Sequence, residues 1–270
     1  MGTRAVIIGA AGRMGRAMTR AAAEFPRLTL AGAIASPHST ALGRDAGELA
    51  GIEPLGLAVS ADLAGALREA DVAIDFSLPE ASAAHLAACR ASGVPLLIGT
   101  TGLAQALGEA DLVQAAQRIA LMVASNTSLG VTLLTELVRQ AAAALPIEFD
   151  IEILETHHRM KRDAPSGTAL TLARAAADAR GTAPAEALAG AGLPRSAPRR
   201  SGEIGFAVAR GGDVVGEHDV RFLGPGEQLV LGHRATDRAI FARGALTAAL
   251  WLARQPAGRY EMRDILFENQ

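Results

Sequence analysis

The chain is short of cysteine, short of aromatic residues and nearly without net charge, and each shortage narrows what it can be. Its single cysteine, Cys89, excludes an intramolecular disulfide. Cys89 ends the run Ala84 to Cys89, which reads as helix, so it is expected to be a small buried hydrophobe. Aromatic side chains make up 3% of 270 residues, which leaves the core to Ala, Val, Leu and Ile. A formal net charge of -2 offers no footprint for nucleic acid. No apolar run is long enough to span a membrane, and the first, Ala5 to Ala11, is short and broken by glycine. With no signal peptide and no disulfide framework, the chain reads as cytoplasmic.

What is present suits an α/β protein. Half of the residues are hydrophobic, enough for two modest domains or one large one. Apolar strands at Arg4–Ile8, Leu28–Ile34, Asp71–Phe76, Pro95–Thr100 and Ile119–Ala124 alternate with helical runs at Gly12–Glu24, Asp62–Ala70, Pro79–Ser92 and Leu103–Gln117. That alternation predicts a parallel sheet covered on both faces. The pattern then changes. Leu129–Ala144 is an amphipathic helix, and Glu148–Glu155 alternates Phe149, Ile151 and Ile153 inward with Glu148, Asp150 and Glu152 outward. A helix is expected over Thr168–Arg180. Thr182–Gly202, with Pro184, Pro194, Pro198, Arg195, Arg199 and Arg200, reads as a loop. Strands at Ile204–Ala209, Val214–Phe222 and Gln228–His233 follow without helices between them, which predicts a second, open sheet. The Gly211–Gly212 pair suits a hairpin. A last helix, Arg238–Arg254, is expected to pack back on the first domain.

The first strand runs into Gly9-Ala10-Ala11-Gly12-Arg13-Met14-Gly15, and a helix follows. Glycines there permit a tight turn and close approach to a pyrophosphate, and the helix N-terminus offers free N–H groups and a favourable dipole. The spacing is G-x-x-G-x-x-G rather than G-x-G-x-x-G, and no Gly-Lys-Ser/Thr of a P-loop follows. A tight turn with no ligand is the plainer alternative. A carboxylate after the second strand would favour NADH by binding the ribose 2′-OH. Here Ala35, Ser36, Pro37 and His38 stand in its place, and Asp45 and Glu48 lie too far on. With Arg13 and Ser36 nearby, NADPH is expected to serve at least as well as NADH. Two further strand ends, Asp75-Phe76-Ser77 and Gly99-Thr100-Thr101-Gly102, are placed to face a cofactor and a substrate.

The densest chemistry lies in Glu155 to Thr168, where His157, His158, Arg159, Lys161 and Arg162 fall between a strand and a helix. Ser166, Gly167 and Thr168 open that helix, whose N–H groups and hydroxyls can receive a carboxylate. One of His157, His158 and Lys161 can donate a proton. A dianionic or carboxylate-bearing small substrate is the natural match. Adjacent histidines point opposite ways if extended and no third ligand is evident, so no metal is expected. A solvated basic loop is the plainer alternative.

Taken together these residues resemble the dihydrodipicolinate reductase family. The run Glu155 to Thr168 is similar to its signature E-x-H-H-R-x-K-x-D-A-P-S-G-T over the whole length. The loop Gly9 to Arg16, Asp75-Phe76-Ser77, Gly99-Thr100-Thr101-Gly102, Ser125-Asn126-Thr127-Ser128, Gly216-Glu217-His218 and Met262-Arg263-Asp264 fall in family order. The resemblance implies NAD(P)H-dependent reduction of 4-hydroxy-tetrahydrodipicolinate in lysine and diaminopimelate synthesis. It implies a Rossmann-like doubly wound parallel sheet over 1–127 and 238–270. It also implies an α+β domain with an open mixed sheet over 128–237 that binds substrate and forms a homotetramer. It makes His157 a proton donor or acceptor and Lys161 a second donor, with His158, Ser166, Gly167, Thr168 and Thr101 on the substrate. Gly9, Ala10, Ala11, Gly12, Arg13, Met14, Ser36, Phe76, Gly99, Thr100, Thr101, Ala124, Ser125, Asn126 and Thr127 would contact the cofactor. The chain departs from the family where many members carry an acid then Arg after the second strand, and where some carry Phe at Thr127. Another NAD(P)-dependent amino-acid or imine dehydrogenase of this architecture, or a non-catalytic NAD(P) sensor, are the alternatives.

Overall fold

A computed structural model describes residues 2–103, 106–183 and 198–267. The chain divides into two compact units, Met1–Ser128 with Ala239–Gln270, and Leu129–Arg238. Among the described residues no helix is long and apolar enough to cross a membrane.

The first unit is a seven-stranded, wholly parallel sheet. Its strands are β1 (Thr3–Ile8), β2 (Leu28–Ile34), β3 (Val59–Ser60), β4 (Val72–Asp75), β5 (Leu96–Ile98), β6 (Ala120–Val123) and, late in the chain, β11 (Gly258–Tyr260). The order β11-β6-β5-β4-β1-β2-β3 reverses direction between β1 and β4, the switch point at which open α/β sheets bind ligands. Both faces are covered, which is why the strands read as nearly unbroken apolar runs. On one face Val6, Ile8, Leu96, Ile98 and Leu121 pack with Leu67 of α3 (Leu63–Leu67), Leu86 and Cys89 of α4 (Pro79–Ser92), and Leu112 of α5 (Glu109–Ala116). Cys89 is buried there as expected, and burial pushes its thiol up to about 12. On the other face lie α1 (Arg13–Ala21) and α8 (Ala239–Leu252), the latter against β4, β5 and β6. The short helix α2 (Ala46–Ala50) packs against α1.

The second unit has a four-stranded mixed sheet, β10-β9-β7-β8. Strand β7 (Asp150–His157) pairs in parallel with β8 (Ile204–Arg210) and antiparallel with β9 (Gly216–Gly224), which pairs antiparallel with β10 (Glu227–Ala235). Helices α6 (Leu129–Ala144) and α7 (Gly167–Ala179) cover one face through Leu134, Val138, Leu172 and Ala176, packed with Ile151, Ile153, Val220 and Phe222. Arg199, in the stretch expected as a loop, pins β7 through Asp150 and Glu152. Arg195 and the rest of the expected loop at 184–197 lie outside the described residues.

Two sequence expectations are corrected. Gly211–Gly212 does not turn a hairpin, because β8 and β9 lie on opposite edges of β7. The turn instead ties down the chain leaving β7: Gly211 N donates to His157 O at 2.9 Å and Arg159 N to Gly212 O at 3.2 Å. The true hairpin joins β9 to β10 through Pro225 and Gly226, the latter at φ +80, as a type II turn requires. The helix expected from Leu103 begins only at Glu109, because Gly108 supplies an extended N-cap and Asp111 accepts its N–H at 3.1 Å.

Helix α8 approaches the loop after β6 closely at Gly244, where a Cβ would fall 1.7 Å from Thr127 O. Gly244→Ala is therefore expected to lower unfolding stability by about 2–3 kcal/mol, the upper range for overpacking, in urea titrations. A loss below about 0.5 kcal/mol, the level of an ordinary surface change, would contradict this packing.

Candidate active site

In the first unit, strand register brings the expected cofactor residues to one edge. Ile8 is level with Ile34 and Asp75, Asp75 with Ile98, and Ile98 with Val123. Gly9, Ala35, Phe76, Gly99 and Ala124 are therefore the next residues of neighbouring strands. Backbone bonds carry this row onward: Gly9 N and Ala10 N to Ile34 O, Phe76 N to Ile8 O, Gly99 N to Asp75 O, and Ala124 N to Ile98 O.

The glycines are required by contact. Gly9 sits at φ +85, and a Cβ there would lie 2.7 Å from Phe76 O. A Cβ at Gly15 would lie 2.3 Å from Gly9 O, so only glycine lets α1 seat on the loop. Gly12 is the exposed N-cap of α1 and provides no side-chain cap, so the amides of Arg13 and Met14 have no partner inside the helix. A helix start of this kind can receive an anionic group. Phe76 lies over Gly99, where a Cβ would meet its ring at 2.1 Å. Beneath this edge Asp75 is fully buried, accepting from Ser77 N at 2.8 Å and facing His85 Nδ1 at 2.9 Å.

Not every expected side chain faces outward. The Thr100 hydroxyl bonds Ser77 O at 3.2 Å, and Thr127, 1% exposed, donates to Phe241 O at 2.6 Å. Arg13, Ser36, Thr101 and Ser125 are exposed, and Asn126 Oδ1 accepts from Ser128 N at 2.9 Å. Asp45 is spent on the backbone of Gly47, Glu48, Leu55 and Leu57, so it offers no substitute for the missing acid after β2.

In the second unit the alternation of β7 continues past Ile153 and turns Glu155 and His157 to the buried side. The same alternation in β9 turns in Gly216 and His218, and Glu155 is level with His218 across the ladder. Glu155, His157 and His218 are 2%, 8% and 4% exposed. Glu155 Oε1 accepts from Ser166 N at 3.0 Å and Arg210 at 2.9 Å. Its Oε2 lies 3.4 Å from His157 Nδ1 and 3.6 Å from His218 Nε2. Burial alone would raise the carboxyl, but His218, Ser166 and Arg210 outweigh it and hold it at about 2. Burial lowers His157 from 6.5 to about 4, with Glu155 opposing and His218, Lys161 and Arg210 adding to the fall. His157 is thus neutral at neutral pH.

Ser166 is the N-cap of α7. Its hydroxyl, 1% exposed, accepts from Ala169 N at 3.2 Å and meets His218 Nε2 at 3.1 Å, so it braces the cluster rather than facing solvent. Gly167 is exposed at the helix start, with open space beside it. His158 and Lys161 are half-buried in the loop after β7. Lys161 Nζ bonds Asp163 at 2.8 Å, and Arg210 bonds the Asp163 carbonyl at 2.6 Å.

Arg210 and His218 had no standing as site residues in the sequence, although His218 lies in a family motif. The burial period of β7 was the available signal for Glu155. His218 also supplies the third group that a metal would need: Glu155, His157 and His218 present ligand atoms within 4.8 Å of one another. Arg210 already gives the carboxylate a cationic partner, so the cluster is charge-compensated as it stands.

The model of the dihydrodipicolinate reductase N-terminus matches residues 3–127, and that of its C-terminus residues 130–266. The chain is 50% identical over 264 residues to a 4-hydroxy-tetrahydrodipicolinate reductase of Anaeromyxobacter dehalogenans (strain 2CP-1), covering 98% of this chain and 97% of that one. It is 49% identical to the enzyme of that name from Alkalilimnicola ehrlichii, covering 98% and 99%. Among solved structures it is similar to a dipicolinate-bound dihydrodipicolinate reductase from Paenisporosarcina sp. TG-14, with TM-score 0.76, 22% identity, and 97% and 98% of the two chains covered. An amine dehydrogenase from Mycobacterium smegmatis shares the fold at TM-score 0.60 and 17% identity, over 97% and 96% of the chains.

Both shifted groups tie stability to pH in the same sense. Between 6.5 and 4 the unfolded chain takes up a proton that folded His157 refuses, so stability falls as pH drops through that window. The Glu155 contribution is complete above 4.5 and is lost as pH falls toward 2. The His157 part amounts to at most about 3 kcal/mol. His157→Gln is expected to flatten unfolding free energy against pH between 6.5 and 4. A slope equal to the parent's would show that His157 is not the group responsible.

Proposed function

The chain belongs to the dihydrodipicolinate reductase family, and from that premise we propose how its residues carry out NAD(P)H-dependent reduction of 4-hydroxy-tetrahydrodipicolinate in lysine and diaminopimelate synthesis. The observation that carries the reading is the buried Glu155–His157–His218 cluster, joined through Ser166 to the N-terminus of α7. It sets a proton-handling ring and a carboxylate-binding helix start within one small region. A ring dicarboxylate requires both.

His157 handles the proton at Nε2. Gly216 leaves that nitrogen room, since a Cβ at that position would lie 3.0 Å from it. Lys161 is the second proton donor, and its charge also attracts the anionic substrate. Gly167 and Thr168 receive a carboxylate with backbone N–H groups, and His158 adds a contact. Ser166 contributes from behind, as cap and brace. The Paenisporosarcina reductase holds dipicolinate, itself a ring dicarboxylate, in keeping with this assignment.

The first unit is the dinucleotide-binding domain. Gly9 through Met14 take the pyrophosphate, and Phe76, Gly99 to Thr101 and Ala124 to Thr127 line the nicotinamide end, with Thr100 and Thr127 contributing backbone. When bound, NAD(P)H would supply the hydride to the conjugated cyclic imine that forms once the 4-hydroxyl has left as water. The negative charge that develops in the ring is quenched by a proton from the His157–Lys161 side. Because Asp45 is committed and Ser36 is exposed, both coenzymes serve, with NADPH at least as good. The second unit binds substrate and assembles a homotetramer. Exposed Val208, Leu229 and Val230 on the outer strands β8 and β10 suit burial against other copies. The cytoplasm is the compartment that fits this pathway.

His157→Gln and Lys161→Ala should each lower kcat by about 10²-fold or more while NAD(P)H affinity changes little. Full turnover in both variants would overturn the role assignment. Titrating the parent enzyme with each coenzyme should give a kcat/KM for NADPH no lower than for NADH, and a strong NADH preference would overturn that part of the reading.

A further inference from the structure

Glu155 is held firmly by one oxygen and aimed with the other. Oε1 is taken by Ser166 N and Arg210. Oε2 faces His157 Nδ1 at 3.4 Å, and both atoms are buried with no hydrogen-bond partner. Each would bear a desolvation cost if left unmet. They satisfy one another only when Nδ1 carries the hydrogen and directs it at Oε2. At 3.4 Å the two are in place for that bond but have not closed it, and catalytic hydrogen bonds are often long before substrate tightens them.

His218 restricts the arrangement from the neighbouring strand. Its Nε2 lies 3.6 Å from the same carboxylate oxygen and 3.1 Å from Ser166 Oγ. Its ring packs edge-on against that of His157, with centroids 5.0 Å apart at 75°. The remaining nitrogen of His157, Nε2, points to where Gly216 lacks a side chain.

We propose that Glu155 and His218 are positioning residues for the reduction: Glu155 holds His157 as the Nδ1–H tautomer, and His218 fixes both groups so that a proton-free Nε2 faces the space beside Gly216. A ring in this state takes a proton at Nε2 and can then pass it on, but does not start with one there. The orienting carboxylate thus decides which nitrogen does the work, a role that neither the family signature nor the run of charges makes visible. The inference rests on the assignment of His157 to the reaction.

The test is nitrogen NMR on protein labelled with ¹⁵N-histidine, with the His157 signals identified by their loss in His157→Gln. The parent should show the Nδ1–H tautomer. In Glu155→Gln the amide oxygen keeps Ser166 and Arg210, the amide NH₂ faces Nδ1, and the hydrogen moves to Nε2. That variant should lose about 10²-fold in kcat, with substrate KM and NAD(P)H affinity changed by less than about threefold. His218→Gln should keep the tautomer and lose about 10-fold in kcat. An Nε2–H tautomer in the parent, or Glu155→Gln turning over within about twofold of the parent, overturns the proposal. Should Glu155→Gln fail to fold, the parent tautomer and His218→Gln still decide. If the parent shows Nδ1–H but His157→Gln keeps full turnover, the assignment of His157 to the reaction fails, and the tautomer stands.

Discussion

A carboxylate 2% exposed to water must find its compensation inside the protein, and Glu155 finds it in four different elements. Strand β8 supplies Arg210, the N-cap of α7 supplies the Ser166 amide, β9 supplies His218, and β7 itself supplies His157 two residues on. Removing any one leaves buried polar atoms short of partners. The second unit therefore has little freedom in how β7 exits the sheet or where α7 begins. Those two points carry the loop from His158 to Pro165, with Lys161 at its centre. On the proposed assignment, the charge that organises the fold is also the charge that orients the His157 imidazole.

The first unit obeys a different constraint, the register of a parallel sheet. Because the ends of β2, β1, β4, β5 and β6 are level, their following residues form one edge at the reversal of strand order. Close approaches at Gly9, Gly15, Gly99 and Gly244 keep the loops low over that edge. Hydroxyls that looked like ligand contacts, on Thr100 and Thr127, serve to tie these loops together. That edge then presents largely backbone, in keeping with the proposed use of both nicotinamide coenzymes.

Much of this was legible in the residues themselves. The apolar runs and glycine spacing describe the first sheet, and the run from Glu155 to Thr168 describes the chemistry. Period-two alternation, followed as far as Ile153, needed only two more residues to place Glu155 and His157 inward. What could not be read was partnership across the sheet. Nothing local to Gly211–Gly212 says that β7 lies between the strands it separates, so a turn-forming pair was taken for a hairpin. For the same reason His218 and Arg210, distant in sequence, could not be joined to Glu155. Strands β3 and β11, of 2 and 3 residues, are too short to show a period. The start of α5 was misplaced because Asp111, capping from inside the helix, outweighed the apolar run before it.

In the proposed reaction this chain reduces the ring dicarboxylate formed when pyruvate condenses with aspartate semialdehyde. The most direct measurement is nucleotide absorbance in a mixture of these two compounds, the condensing synthase and this protein, run separately with NADH and NADPH. Oxidation of either nucleotide, dependent on the synthase and proportional to the semialdehyde supplied, is the predicted result. No synthase-dependent oxidation with either nucleotide would contradict it.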